Sequence, residues 1–220
     1  MSELMASANV LSNIGVLEAK LPFDMFNKLA KAIDDLSSDA EKYNNNLLGH
    51  MKEEYSLNQS KEIISEYVEA LAVAYDRSNP GYIEAFEEVS KSKYYKFYLD
   101  TLWVNKQKKY EFNPVHHHAG ALSFVIWIKI PYDLKEEETY FPPVSGETEE
   151  SRTNTHTSKF AFVYTDTLGR IRHIPLPIDK NWEGTILMFP SSMHHCVYPF
   201  YTSDDYRISV SGNVRIDGIK

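Results

Sequence analysis

The sequence predicts an α+β domain in which helices come first and an antiparallel barrel or jelly roll follows. Three observations carry this expectation. Apolar residues recur at helical spacings through much of the first hundred positions. From about residue 98 the pattern changes to short apolar or alternating runs. Turn chemistry separates those runs, as expected of antiparallel strands.

Taken in order, Gly15 to Lys20 reads as a short edge strand. After Leu21-Pro22, the residues Phe23, Phe26, Leu29, Ala30, Ile33 and Leu36 trace one buried stripe of an amphipathic helix. Asn44-Asn45-Asn46 and Ser56 to Ser60 are loop-like. Ser60 is a suitable N-cap for a second helix with Ile64, Tyr67, Leu71 and Ala74 on one face. Asn79-Pro80-Gly81 ends it, and a third helix is expected over Tyr82 to Tyr95. Strands are expected at Tyr98–Val104, Leu122–Ile130, Phe160–Thr165, Ile171–Ile178, Thr185–Phe189 and Tyr206–Val214. Asp166 with Leu168-Gly169-Arg170 makes a hairpin turn between two of them. Asp133 to Thr157 is acidic and Pro-containing, an insertion-like loop that would form a solvated face or a lid. The expected organisation is a single domain over 1–220, with 1–97 mainly helical support and 98–220 the barrel core.

Composition narrows the function classes. The 220 residues include 43% hydrophobic and 25% charged side chains, which excludes a disordered chain. A net charge of −8 repels phosphates, so no broad nucleic-acid or anionic-membrane surface is expected. Cys196 is the sole cysteine, which rules out a disulfide framework and a cysteine-type zinc site. The N-terminus lacks the pattern of a secretory signal, and no apolar run is long enough to span a bilayer, so a cytoplasmic protein is expected.

Histidines carry the chemistry. Five of eight fall in two clusters, His116-His117-His118 and His194-His195, each beside an expected strand. On extended backbone His116 and His118 face one way and His117 the other. Two such imidazoles joined by a distant third offer a facial metal site with coordination positions left for exogenous ligands. His-Glu-x-x-His is absent from the sequence, and Leu122 and Ser123 stand where a cupin-like site would need a glutamate.

The run Gly184 to Pro199, containing Phe189-Pro190-Ser191 and His195, is followed by Arg207-Ile208-Ser209. It resembles the C-terminal half of Fe(II)- and 2-oxoglutarate-dependent oxygenases. Trp103-Val104-Asn105, Glu111-Phe112-Asn113-Pro114, His116-x-His118 and Ser123 to Trp127 resemble a subgroup found in marine bacteriophages. The matching segments cover roughly residues 100–215. This resemblance implies a double-stranded β-helix (jelly roll) core with N-terminal helices packed on it. It implies Fe(II) held by His116, His118 and His195, and 2-oxoglutarate anchored by Arg207 and Ser209. It further implies O2 as oxidant and hydroxylation of an unidentified small-molecule or protein substrate, with release of succinate and CO2. If the chain is phage-encoded, the host cytoplasm is the implied location.

One departure stands out. The family's usual carboxylate ligand falls on His118, so either three histidines bind the metal or an acid such as Asp133 or Asp166 completes the site. The family-like register selects His195 over His194, leaving Cys196 as packing. Arg215 is the alternative anchor for the oxo acid, and Lys129, Tyr110 and Asn113 are candidate pocket residues. Phe124, Trp127, Phe160, Phe162 and Phe189 are expected in the core. Competing readings are a non-catalytic jelly-roll module with a vestigial site, a three-His dioxygenase needing no oxo acid, and a structural or hydrolytic zinc site.

Overall fold

The computed structural model describes residues 14–37, 39–44, 47–140 and 156–219. Its strands form two antiparallel sheets. β1 (Leu17–Lys20), β2 (Glu53–Ser56), β3 (Tyr94–Gln107), β5 (Leu122–Lys129), β8 (Thr185–Pro190) and β10 (Arg207–Ile219) make the larger, in the order β1-β8-β5-β10-β3-β2. β4 (Asn113–His116), β6 (Phe160–Thr165), β7 (Ile171–Leu176) and β9 (His194–Val197) make the smaller, in the order β4-β9-β6-β7. The eight strands β3 to β10 pass back and forth between the sheets, with β6 and β7 forming a hairpin within the smaller one, as a double-stranded β-helix, the jelly-roll core expected from the sequence.

Strand alternation divides the interior. On β10, Val210 and Val214 face the helices, while Arg207, Ser209 and Ser211 face the space between the sheets. On β5, Ile126 belongs to the helical side, whereas Val125 and Trp127 pack toward the smaller sheet. Gly212 is required between them: a Cβ there would lie 2.6 Å from Phe124 and 2.7 Å from the Thr101 carbonyl.

The helices cover the outer face of the larger sheet. α1 (Phe23–Asp34) follows Pro22 and buries Leu29 and Ile33 of the anticipated stripe, whereas Phe23, at the first position of the helix, is exposed. α2 (Ser65–Ser78) starts later than expected, because Asn58–Ile63 forms a 3-10 turn and Ser60 caps nothing. Its buried face is Val68, Ala72 and Tyr75, one position out of phase with the expected stripe at Tyr67, Leu71 and Ala74. Each fully buried aliphatic side chain in this layer stabilises the fold by about 1.5–3 kcal/mol. The third helix is much shorter than expected. A 3-10 turn at Ile83–Ala85 and α3 (Glu87–Ser90) precede β3, which already begins at Tyr94. Its register against β10 explains this: Tyr94 pairs with Ile219, so the long partner strand extends the ladder outward.

β2 lies between the two stretches expected to be loop-like and takes in Ser56 from the second; it was not expected, since its alternation of Glu54 and Ser56 inward places polar groups on the buried face. The expected acidic loop is partly helical, as α4 (Leu134–Tyr140). Glu137 on α4 is buried and accepts hydrogen bonds from the backbone amides of Tyr201 and Thr202. The rest of that acidic stretch, through Thr155, lies outside the described residues.

Candidate active site

Three histidine rings meet between the sheets. In the β4–β9 ladder His116 stands directly opposite His195, so antiparallel pairing alone brings these two together. His118 follows after β4 ends, and its backbone N–H donates to the Ser191 carbonyl at 2.9 Å. Gly120, at φ +109°, then turns the chain toward β5, and a Cβ there would sit 2.9 Å from the Val214 carbonyl oxygen. Ring centroids are 4.3 Å apart for His116–His195, 4.9 Å for His116–His118 and 5.1 Å for His118–His195. One ligand atom from each lies within 4.8 Å of the others. His117 and His194 meet edge to face outside this group, with ring centroids 5.0 Å apart.

The tautomers suit metal binding. His116 Nδ1 lies 2.7 Å from the Pro114 carbonyl and His195 Nδ1 3.0 Å from the Met193 carbonyl. A carbonyl only accepts, so each Nδ1 carries the proton and each Nε2 keeps a free lone pair. Burial, reinforced by the neighbouring rings, lowers all three proton affinities: His118 falls to about 3, and His116 and His195 shift down as well. The rings are therefore neutral at physiological pH, the state a metal needs. Phe160 and Phe189 pack on the His195 ring at 5.4 and 4.9 Å, a dry apolar wall. This donor set fits Fe(II).

No carboxylate joins the group among the described residues. Asp166 is tied to Arg170 and Arg172 in the β6–β7 hairpin, and Asp133 accepts from the first amides of α4.

Arg207 and Ser209 line the same cavity, as do Asn113, Phe124, Trp127, Phe160 and Phe189. Arg207 is 3% exposed and all five of its N–H groups have partners. Nε and one Nη2 proton go to Gln107 Oε1, and the other to the Tyr198 carbonyl. Nη1 donates to Tyr132 Oη and the Ser158 carbonyl. Gln107 Oε1 thus occupies the fork that a carboxylate would grip. Arg215 instead pairs with Asp100 at 2.7 Å, and Lys129 with Asp205, both at the surface. Tyr110 is exposed, and Cys196 is buried with its thiol pushed up by burial.

Sequence reasoning missed Gln107, Tyr132, Asn105 and Ser211. Their positions were readable only through strand register, since Asn105 and Gln107 share the inward face of β3 with Trp103. It also missed Leu47, Leu48 and Met51, which close one side of the cavity from a segment without regular structure.

A double-stranded β-helix with three inward imidazoles is a metal-binding jelly roll, and solved structures share the fold. A Pseudomonas putida prolyl-4-hydroxylase superposes with a TM-score of 0.53 at 13% identity, over 91% of this chain and 92% of its own. The non-heme alpha-ketoglutarate-dependent epimerase SnoN from nogalamycin biosynthesis gives 0.51 at 13% identity, over 92% and 76%. At such identities the likeness establishes the fold. No sequence relative was found among curated proteins. Residues 101–213 match the family described as "Putative 2OG-Fe(II) oxygenase". The chain belongs to that family, an oxidoreductase family whose cofactors are Fe(II), 2-oxoglutarate and O2.

Proposed function

We propose that this protein is a dioxygenase that hydroxylates a small-molecule or protein substrate while 2-oxoglutarate is converted to succinate and CO2. His116 and His195 would hold the iron through Nε2, with His118 as the third ligand. Arg207 and Ser209 receive the far carboxylate of the oxo acid, which takes the place of Gln107 Oε1 in the guanidinium fork. When bound, iron and oxo acid together supply the oxidising power. The chain's own residues hold the rings neutral, orient the oxo acid and exclude water with Phe160, Phe189 and Trp127. Residues 1–220 act as one unit, the helices bracing the larger sheet. The resemblance of the 103–127 segment to bacteriophage sequences supports work in a host cytoplasm, where a lone cysteine would stay reduced.

The observation that carries this reading is the meeting of three neutral imidazoles beside a buried arginine. Anaerobic titration with Fe(II) and 2-oxoglutarate tests it: a metal-to-ligand charge-transfer band should appear in the wild type and vanish in His195→Ala. Absence of the band in the wild type, or its survival in the variant, overturns the reading.

A further inference from the structure

Beside the histidines lies a second polar group that the iron chemistry does not use. Glu54 on β2 is 1% exposed and stands directly across from Asn105 on β3. Asn44 donates its Nδ2 to Glu54 Oε2 at 3.0 Å and to the Met51 carbonyl at 2.8 Å, which fixes that amide's orientation. Asn113 and Glu54 converge on the bare side of Gly49. A Cβ built there would lie 2.0 Å from Asn113 Oδ1 and 3.3 Å from Glu54 Oε1.

Among the described residues, four oxygens here are buried without a hydrogen-bond donor: Asn44 Oδ1, Glu54 Oε1, Asn105 Oδ1 and Asn113 Oδ1. Unmatched buried acceptors are rare and costly, and four in one neighbourhood point to a missing donor. Protonating Glu54 would supply one proton and leave the other acceptors unmatched. Asn105 and Asn113 also line the cavity that contains His116 and His118. The surroundings are electronegative, with Glu111 acting on Glu54 and a net charge of −8 overall. An ammonium brings three N–H groups and a guanidinium five, with the charge that Glu54 lacks opposite it.

We propose that Asn105, Asn113 and Glu54, supported by Asn44, form a subsite for a cationic nitrogen of the substrate, an ammonium or guanidinium held beside the metal centre. The proposal rests on the oxygenase reading for the word substrate, but not for the binding itself. Such a subsite would select lysine-like or arginine-like side chains, or a small amine, over neutral and acidic compounds.

The test uses n-butylguanidinium and n-butylammonium as probes. Binding is followed by NMR of the side-chain amides, with protein carrying Zn(II) and 2-oxoglutarate and with metal-free protein. Both probes should bind the wild type, and tetramethylammonium, which has no N–H, should not displace them. Glu54→Gln should weaken binding about tenfold or more, the loss expected for one charge-assisted hydrogen bond. Asn113→Ser provides a second variant with the same expected direction, in case Glu54→Gln folds poorly. Unchanged affinity in folded variants, no binding to the wild type, or displacement by equimolar Na+, K+ or Ca2+ overturns the inference. The iron–oxo acid band on the same preparation reports the oxygenase reading separately. A band without amine binding sinks only the subsite; amine binding without a band sinks only the oxygenase chemistry.

Discussion

Replacing Gln107 with leucine should tighten 2-oxoglutarate binding. Gln107 Oε1 accepts from Arg207 Nε at 2.9 Å and again from Nη2, so it stands in for the carboxylate that the oxo acid would bring. The wild type must break both bonds before the co-substrate enters. In Gln107→Leu those donors are left unmatched until it binds. Hydrogen bonds to charged groups are worth roughly 1.5–3 kcal/mol each, and partial rearrangement of the guanidinium returns some of this. A net gain of about 2 kcal/mol corresponds to about a 30-fold lower Kd for 2-oxoglutarate. The iron-dependent absorption band, titrated without oxygen, gives that Kd directly. Thermal unfolding should show the variant less stable alone, with the difference narrowing as 2-oxoglutarate is added. A Kd that is unchanged or higher in a folded variant would refute the idea that the co-substrate displaces Gln107.

His194→Ala should leave metal affinity near wild type, because that ring meets His117 edge to face outside the cluster, while His195→Ala should abolish tight binding by equilibrium dialysis. The metal-free protein should lose stability as pH falls below the ordinary imidazole value near 6.5. His118 has its folded value near 3, so the unfolded chain binds more protons across that window, and urea midpoints measured at successive pH values should drop through it. Gly212→Ala should destabilise by about 2–3 kcal/mol by driving a methyl into Phe124 and the Thr101 carbonyl, read out by chemical denaturation. Arg207→Met should cost stability as well as oxo acid binding, since the Gln107, Tyr132, Ser158 and Tyr198 oxygens all lose a buried donor, and a normal denaturation midpoint would argue against that network.

Much of the core was legible because strand patterning is local. Phe160–Thr165 was placed to the residue, and the β6–β7 turn followed from Asp166 and Gly169. The His116/His118 pairing was also local, needing only alternation along an extended chain. The helical segment fared worse where the apolar face was set by partners remote in sequence. Tyr75 belongs to the core because its hydroxyl reaches the Gly15 carbonyl at 2.8 Å, a contact no spacing rule contains. Tyr94 and Tyr95 are strand residues because β10 extends to meet them, which overrides the continuity of the preceding helical pattern. In the site, Arg207 was identifiable from its motif, yet its five hydrogen bonds reach four residues in separate segments, Gln107, Tyr132, Ser158 and Tyr198, and were unreadable. Glu54 was hidden for a related reason: a glutamate beside Lys52 and Glu53 reads as solvated until pairing with β3 carries it inside.

The facing of His116 and His195 across a four-residue ladder has a consequence for the life of the molecule. An ion shared by those rings would rivet together strands far apart in the chain, in a sheet with few other cross-links at that end. Iron supply would then govern how long the polypeptide survives as well as whether it turns over. A starved cell should accumulate less of the protein, with proteases entering first at β4 and β9.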